Sequence, residues 1–237
     1  MADLMTYELS GQVARITMDD GKANALSIAM LRALHDAFDR AEKDKAVVVL
    51  TGRPGIFSAG FDLKVFAQGV PENVQEMLSL GAELALRVLT FPTPVVTACT
   101  GHCYPAGAFL MLAADVRIGV EGPFRIGLNE VTIGLTLPKF AVEISRQRLL
   151  PAYFNRLLVT GEMIGPREAI TAGFLDQVAE VSQLRSTADA IAQSLTKVDP
   201  MAHYATKTRV REPAARAIRA AIDEDIKSDN PRARSAA

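Results

Sequence analysis

An α/β fold with a largely parallel sheet is what this 237-residue chain predicts, on three features of its pattern. Short β-like runs alternate with longer helical ones. One run, AVVVLTG (46–52), is an unbroken β-branched stretch that suits a strand covered on both faces. The order strand, helix, strand then recurs, which implies right-handed crossovers between parallel neighbours.

The elements follow in order. YELSGQVARITM (7–18) reads as two strands meeting at Gly11, and 26–44 carries Leu31, Leu34, Phe38 and Ala41 at helical spacing. After AVVVLTG, the stretch 71–89 reads as helix, PVVTACT (94–100) as strand, AGAFLMLAA (106–114) as helix and VRIGV (116–120) as strand. Beyond Pro138 helices take over: 140–150, 151–161 and 166–173, then a strand-like LDQVAE (175–180) and two more helical stretches. The division expected is a core over 1–180 and a helical region over 181–237 that covers a face or joins a neighbouring subunit. The tail DNPRARSAA (229–237) reads as frayed.

Composition excludes several classes of function. The chain is 49% hydrophobic and 22% charged, which suits one globular domain with a sizeable core. Its 26 basic and 27 acidic residues give a net charge of -1, so no overall field attracts nucleic acid. The start MADLMTYELSG has no basic opening and no apolar run. No uncharged apolar stretch approaches the ~20 residues of a membrane span, so a cytoplasmic protein without a membrane partner is expected. Cys99 and Cys103 flank His102 in a spacing that fits no usual metal site. They are expected to be buried thiols, and no metal is assigned. His35, on a helical surface, and His203, in the polar C-terminal part, do not make a Ser-His-Asp triad.

Ligands of open parallel sheets collect at the carboxyl ends of strands, which points to the turns after 46–50 and 94–100. The first, TGRPGIFSAGFDLK (51–64), has small residues Ser58, Ala59 and Gly60 leading to Phe61 and Asp62, where a helix begins. It reads either as an ordinary strand-to-helix turn capped by Asp62 or as a place where a ligand approaches free amides. In the second, GHCYPAGAFLMLAAD (101–115), Pro105 suits the first helical position and Ala106, Gly107 and Ala108 keep the helix start slim. Two such turns on neighbouring strands can each aim one amide at a shared oxygen. The third element is Glu130, the single charge between Arg125 and Lys139 in RIGLNEVTIGLTLPK. At the surface it is merely solvated. On an apolar wall facing two amide donors it is a base for a carbon acid.

FSAGFDLK, ACTGHCYPAGAFLMLAAD and GLNEVTIGLTLP resemble, in order, the three signature regions of the crotonase superfamily, the enoyl-CoA hydratase/isomerase family. The likeness runs from the opening strands through ITAGFLDQV (170–178) to the C-terminal helices. It implies a crotonase-like ββα spiral core with a helical C-terminal region, homotrimers or dimers of trimers, and acyl-CoA thioester substrates with no separate cofactor. It places the two oxyanion amides on Phe61 and Ala106, and the catalytic carboxylate on Glu130. Substrate contacts implied by position are Lys22, Ala23, Ala59, Gly60, Asp62, Lys64, Gly107, Phe109 and Gly134. Lys22 and Lys64 are candidates for the coenzyme A phosphates or adenine, with a solvated lysine as the plainer reading of each.

Three departures from the family pattern shape the expectation. Phe109 stands where hydratases of the family have a first Glu, Phe61 replaces a common Ala and so narrows or redirects the acyl pocket, and a Gly-rich stretch becomes PKFAVEISR (138–146). The last brings Glu143, either a second acid in the pocket or half of an ion pair with Arg146 or Lys139. One carboxylate suffices to move a double bond, so 3-enoyl-CoA to 2-enoyl-CoA isomerisation is favoured. Hydration by an atypical site and non-catalytic acyl-CoA binding are the alternatives.

Overall fold

The computed structural model describes residues 4–227, so residues 1–3 and 228–237, among them the tail 229–237 expected to fray, lie outside it. Its main sheet has six strands in the order β1-β2-β3-β5-β7-β8. Strands β1 (Met5–Ser10) and β2 (Val13–Met18) form an antiparallel hairpin around Gly11, with Ser10 opposite Val13. From β2 onward every neighbour is parallel: β3 (Val47–Thr51), β5 (Val95–Cys99), β7 (Val116–Val120) and β8 (Gln177–Ala179). Helix α1 (Ile28–Lys43) connects β2 to β3, with the Ser27 side chain accepting from the Met30 amide as its cap.

Period-two alternation sends each central strand into two cores. Val48 and Leu50 of β3 belong to the larger core with α1, α3 (Pro71–Thr90) and α4 (Pro105–Ala113), whereas Val47 and Val49 join Val96, Ala98, Ile118 and Val120 on the opposite face. That second face is covered by α8 (Leu184–Leu195), which buries Leu184, Ala188 and Ala192 at four-residue spacing. An unbroken β-branched run is what a strand with two apolar faces requires. Helix α4 is buried on all sides, in keeping with its lack of any charged residue.

The long α9 (Pro200–Ile222) packs on α3 and adds Ile218, Ala221 and Ile222 to the larger core, and polar groups tie it there as well. Asp115 accepts from Lys207 Nζ at 2.7 Å and pairs with Arg211 at 2.8 Å, all three being largely shielded from solvent. Burial lowers the Lys207 pKa to about 8, against the pull of Asp115. His35 lies between α1 and α3, half-buried, with Nε2 3.1 Å from the Leu80 carbonyl, so it is not the surface residue that helical spacing suggests. Cys99 and Cys103 are both buried free thiols. No helix among the described residues is long and apolar enough to cross a membrane.

One feature was not visible as strand in the sequence. The two segments read as turns contain β4 (Gly55–Ser58) and β6 (Gly101–Cys103), which pair in parallel as a separate two-stranded sheet. They are short and rich in small residues, so neither shows the apolar alternation by which strands are recognised.

Candidate active site

Three chain segments run side by side in one direction and end together. Ser58 of β4 stands opposite Cys103 of β6, and Cys103 forms a parallel bridge to Ile126. The bonds that lock this arrangement run from the Tyr104 amide to the Ser58 carbonyl at 2.9 Å, from Cys103 N–H to the Arg125 carbonyl at 2.9 Å, and from Gly127 N–H to the Cys103 carbonyl at 3.2 Å. Phe61 lies three residues past Ser58, Ala106 three past Cys103, and Glu130 four past Ile126. Parallel pairing therefore carries Phe61 and Ala106 to the same end of this small sheet, and the segment leading to Glu130 leaves from that end.

The aim of each amide follows from peptide geometry. The Gly60 carbonyl accepts from Leu26 N–H at 2.8 Å, and in a planar trans peptide the Phe61 N–H must point the opposite way. Ala106 follows Pro105 at the first position of α4, where helix geometry leaves the amide without an intrahelical acceptor. Neither amide donates to a backbone acceptor among the described residues. Gly60 has φ +85, and a Cβ built on it would lie 3.5 Å from the Ala106 nitrogen, so the two turns come within contact distance.

Glu130 opens a 3-10 turn (Glu130–Ile133) and is only 8% exposed, while the next four residues are exposed. The turn ends at Gly134 in the left-handed region, and Leu135 N–H returns to the Glu130 carbonyl at 2.9 Å. Among the described residues the Glu130 Oε2 is buried without a hydrogen-bond partner. Burial raises the carboxyl pKa to about 7, opposed only by its own backbone N–H. The solvated-surface reading of this residue is thereby set aside.

The other positions singled out in the sequence divide by what they touch. Phe61 lies with its ring over α3, where a Cβ on Gly81 would come within 2.5 Å of it. Phe109 is 2% exposed and packs edge-on against Phe140, ring centroids 5.7 Å apart. Replacing Phe109 by Ala is expected to cost about 3–5 kcal/mol in denaturant unfolding, as for other buried aromatic truncations. Asp62 caps α2 (Leu63–Ala67), accepting from Lys64 N–H at 3.0 Å, and the Lys64 side chain is exposed. Lys22 is exposed in a turn whose next residue, Ala23, accepts from Ala59 N–H at 2.9 Å. Gly107 is buried beside Ser58, and Gly134 is exposed as the turn's terminator. Glu143 pairs with Arg146 at 3.3 Å, and Lys139 binds Glu224 instead.

Sequence reasoning passed over Asn24. It is fully buried at φ +50, and its amide donates to the Met18 carbonyl at 2.9 Å and the Phe57 carbonyl at 3.2 Å. An Asn between two alanines just ahead of a helix was the available signal, since Asn tolerates the left-handed region. Among the described residues no three His, Cys, Asp or Glu side chains gather as a metal site. A groove of about 920 Å³ between α3 and α9 shares no residue with these turns, and its Arg219 and Arg216 are paired with Glu83 and Glu212.

The site thus joins a parallel-sheet core, two amides at slim turns that donate to no backbone acceptor among the described residues, and a desolvated carboxylate. The family model for enoyl-CoA hydratase/isomerase matches residues 8–231, and the chain belongs to that family. Over 230 residues it is 31% identical to human "Enoyl-CoA delta isomerase 1, mitochondrial", covering 95% of this chain and 76% of that protein. Over 204 residues it is 36% identical to a putative enoyl-CoA hydratase of Thermus thermophilus, covering 83% and 79%. The crystal structure of an enoyl-CoA hydratase/isomerase family protein from Pseudomonas syringae superposes with TM-score 0.92 at 45% identity, covering 95% and 98%. The crotonase-type fold expected from the three signature regions is the fold observed.

Proposed function

We propose that this chain isomerises 3-enoyl-CoA to 2-enoyl-CoA with Glu130 as its single base. The Glu130 carboxylate takes a proton from carbon 2, the negative charge moves onto the thioester oxygen held by the Phe61 and Ala106 amides, and the Glu130 carboxylic acid returns the proton at carbon 4. The double bond moves from carbons 3 and 4 to carbons 2 and 3, with no net gain or loss of protons. Each amide supplies roughly 2.7 to 4 kcal/mol to the enolate-like transition state. A base with a pKa near the working pH is suited to both halves of the transfer.

The observation that carries this reading is the solitary state of Glu130. Its Oε2 has no hydrogen-bond partner among the described residues, and the position expected to hold a second carboxylate is filled by Phe109, whose ring packs on Phe140. Water addition requires activation of the water as well as protonation of carbon 2, and a phenyl ring does neither. The relatives include both an isomerase and a putative hydratase, so the choice rests on the chemistry of the site. The same proposal assigns Lys22 and Lys64 to the coenzyme A end and the Phe61 ring to the wall of the acyl pocket. It extends to trimers or dimers of trimers in the cytoplasm.

Purified protein incubated separately with 3-enoyl-CoA and 2-enoyl-CoA tests the reading. Conjugation without 3-hydroxyacyl product supports it; rapid hydration of 2-enoyl-CoA, or binding with neither product, overturns it. The pH profile gives a second check. Because the first step needs the carboxylate, kcat/KM is expected to rise with pH, about tenfold per unit well below the Glu130 pKa, and to level off above about 7.

A further inference from the structure

We propose that the Ser58 hydroxyl is a positioning group that fixes the aim of the Phe61 amide relative to the Ala106 amide, a role that rests on the oxyanion reading above. Ser58 is fully buried. Its Oγ donates to the Asn24 carbonyl at 2.7 Å and accepts from Gly60 N–H at 3.1 Å. Its own carbonyl accepts from the amide of Tyr104, the residue that caps α4. Its Cβ lies against Gly107, where an added Cβ would come within 2.7 Å. One residue thus holds the position before Phe61 and touches both sides of Ala106.

The geometry separates the hydroxyl's part from the rest. Gly60 is anchored on both flanks, by its N–H on Ser58 Oγ and by its carbonyl on Leu26 N–H. With both bonds made, its φ and ψ are pinned and the Phe61 N–H has one direction. Removing the hydroxyl frees the N–H flank and leaves the Asn24 carbonyl unpaired, while the Ser58 carbonyl and Cβ contacts that join β4 to α4 survive. Asn24 holds the other end of this link, since its side chain ties Met18 to Phe57, one residue before Ser58. Small displacements matter at this place, because a 1 Å error in a catalytic contact can cost roughly 10²-fold in rate.

The test uses the full chain, with Ser58→Ala and Ser58→Cys beside the wild type. Calorimetry compares two ligands on each protein, a saturated acyl-CoA thioester and its thioether analogue without the carbonyl oxygen. Wild type is expected to favour the thioester, and Ser58→Ala to reduce that preference by about tenfold, the weight of one or two neutral hydrogen bonds, with thioether affinity unchanged. In turnover, kcat is expected to fall roughly 10- to 100-fold with little change in KM. Ser58→Cys, a weaker hydrogen-bonding group of similar shape, is expected to fall between the two. A purely structural role would weaken both ligands alike and is overturning, as is a thioester preference that Ser58→Ala leaves unchanged or that wild type lacks. If Ser58→Ala does not fold, the Cys variant decides by the same ratio. Failure of the isomerase reading looks different: wild type then prefers the thioester yet yields no conjugated product, and the ligand ratio still tests Ser58.

Discussion

Glu130→Gln is expected to reduce conjugation of 3-enoyl-CoA by roughly 10² to 10⁴, the range of a positioned general base, while acyl-CoA still binds. The same substitution is expected to stabilise the fold above neutral pH. In the folded chain the carboxyl pKa is raised to about 7, against 4.5 for the free group, because burial disfavours the charged form. Between those values the folded state keeps a proton that the unfolded state has released. Stability is therefore complete below about pH 4.5 and is lost as pH rises towards about 7. That difference corresponds to about 3 kcal/mol at alkaline pH. A Gln at this position carries no charge to desolvate. Chemical denaturation of both proteins at about pH 8 and about pH 4 checks this: the variant should be more stable at the first and equal at the second. Equal stability at both pH values would mean that Glu130 is hydrated in solution, and unchanged turnover would remove it from the mechanism.

The second large effect is expected at Gly60→Ala, with kcat lowered about 10²- to 10³-fold, the cost of losing one oxyanion donor. The reason is backbone conformation. Gly60 sits at φ +85, where a Cβ is strained, and the added carbon would stand 3.5 Å from the Ala106 nitrogen, beside the amide proposed to hold the thioester oxygen. The strain itself should cost only about 1–2 kcal/mol of stability. Thermal melting and steady-state kinetics together distinguish the cases: a large kinetic loss with a modest fall in Tm supports the placement of the Phe61 amide. Near-normal kcat would show that this amide is not aimed at the reacting oxygen.

Much of the framework was legible from sequence because it depends on local pattern. The hairpin about Gly11, the helix bearing Leu31, Leu34 and Phe38, the doubly covered β3 and the start of α4 at Pro105 all follow from period, punctuation and charge within a few residues. The strands β4 and β6 did not, since four and three residues are too few to show a period and the glycine that opens each suits a turn equally well. Asn24 and Ser58 were legible as residues and not as partners. The bond between them joins positions 34 apart, and no periodicity encodes that distance.

What the sequence by itself determined is the inventory: parallel α/β elements, two slim Gly- and Pro-containing turns, one carboxylate in an uncharged stretch, and a phenyl ring where the family pattern offers a second acid. Tertiary structure alone decided that Phe61, Ala106 and the segment leading to Glu130 leave one end of a small sheet, and that the Glu130 carboxyl is dry enough to hold its proton near neutrality. Residue identity fixes which groups can donate, accept or ionise. Direction and desolvation belong to the surroundings, which are set by pairing between segments far apart in the chain.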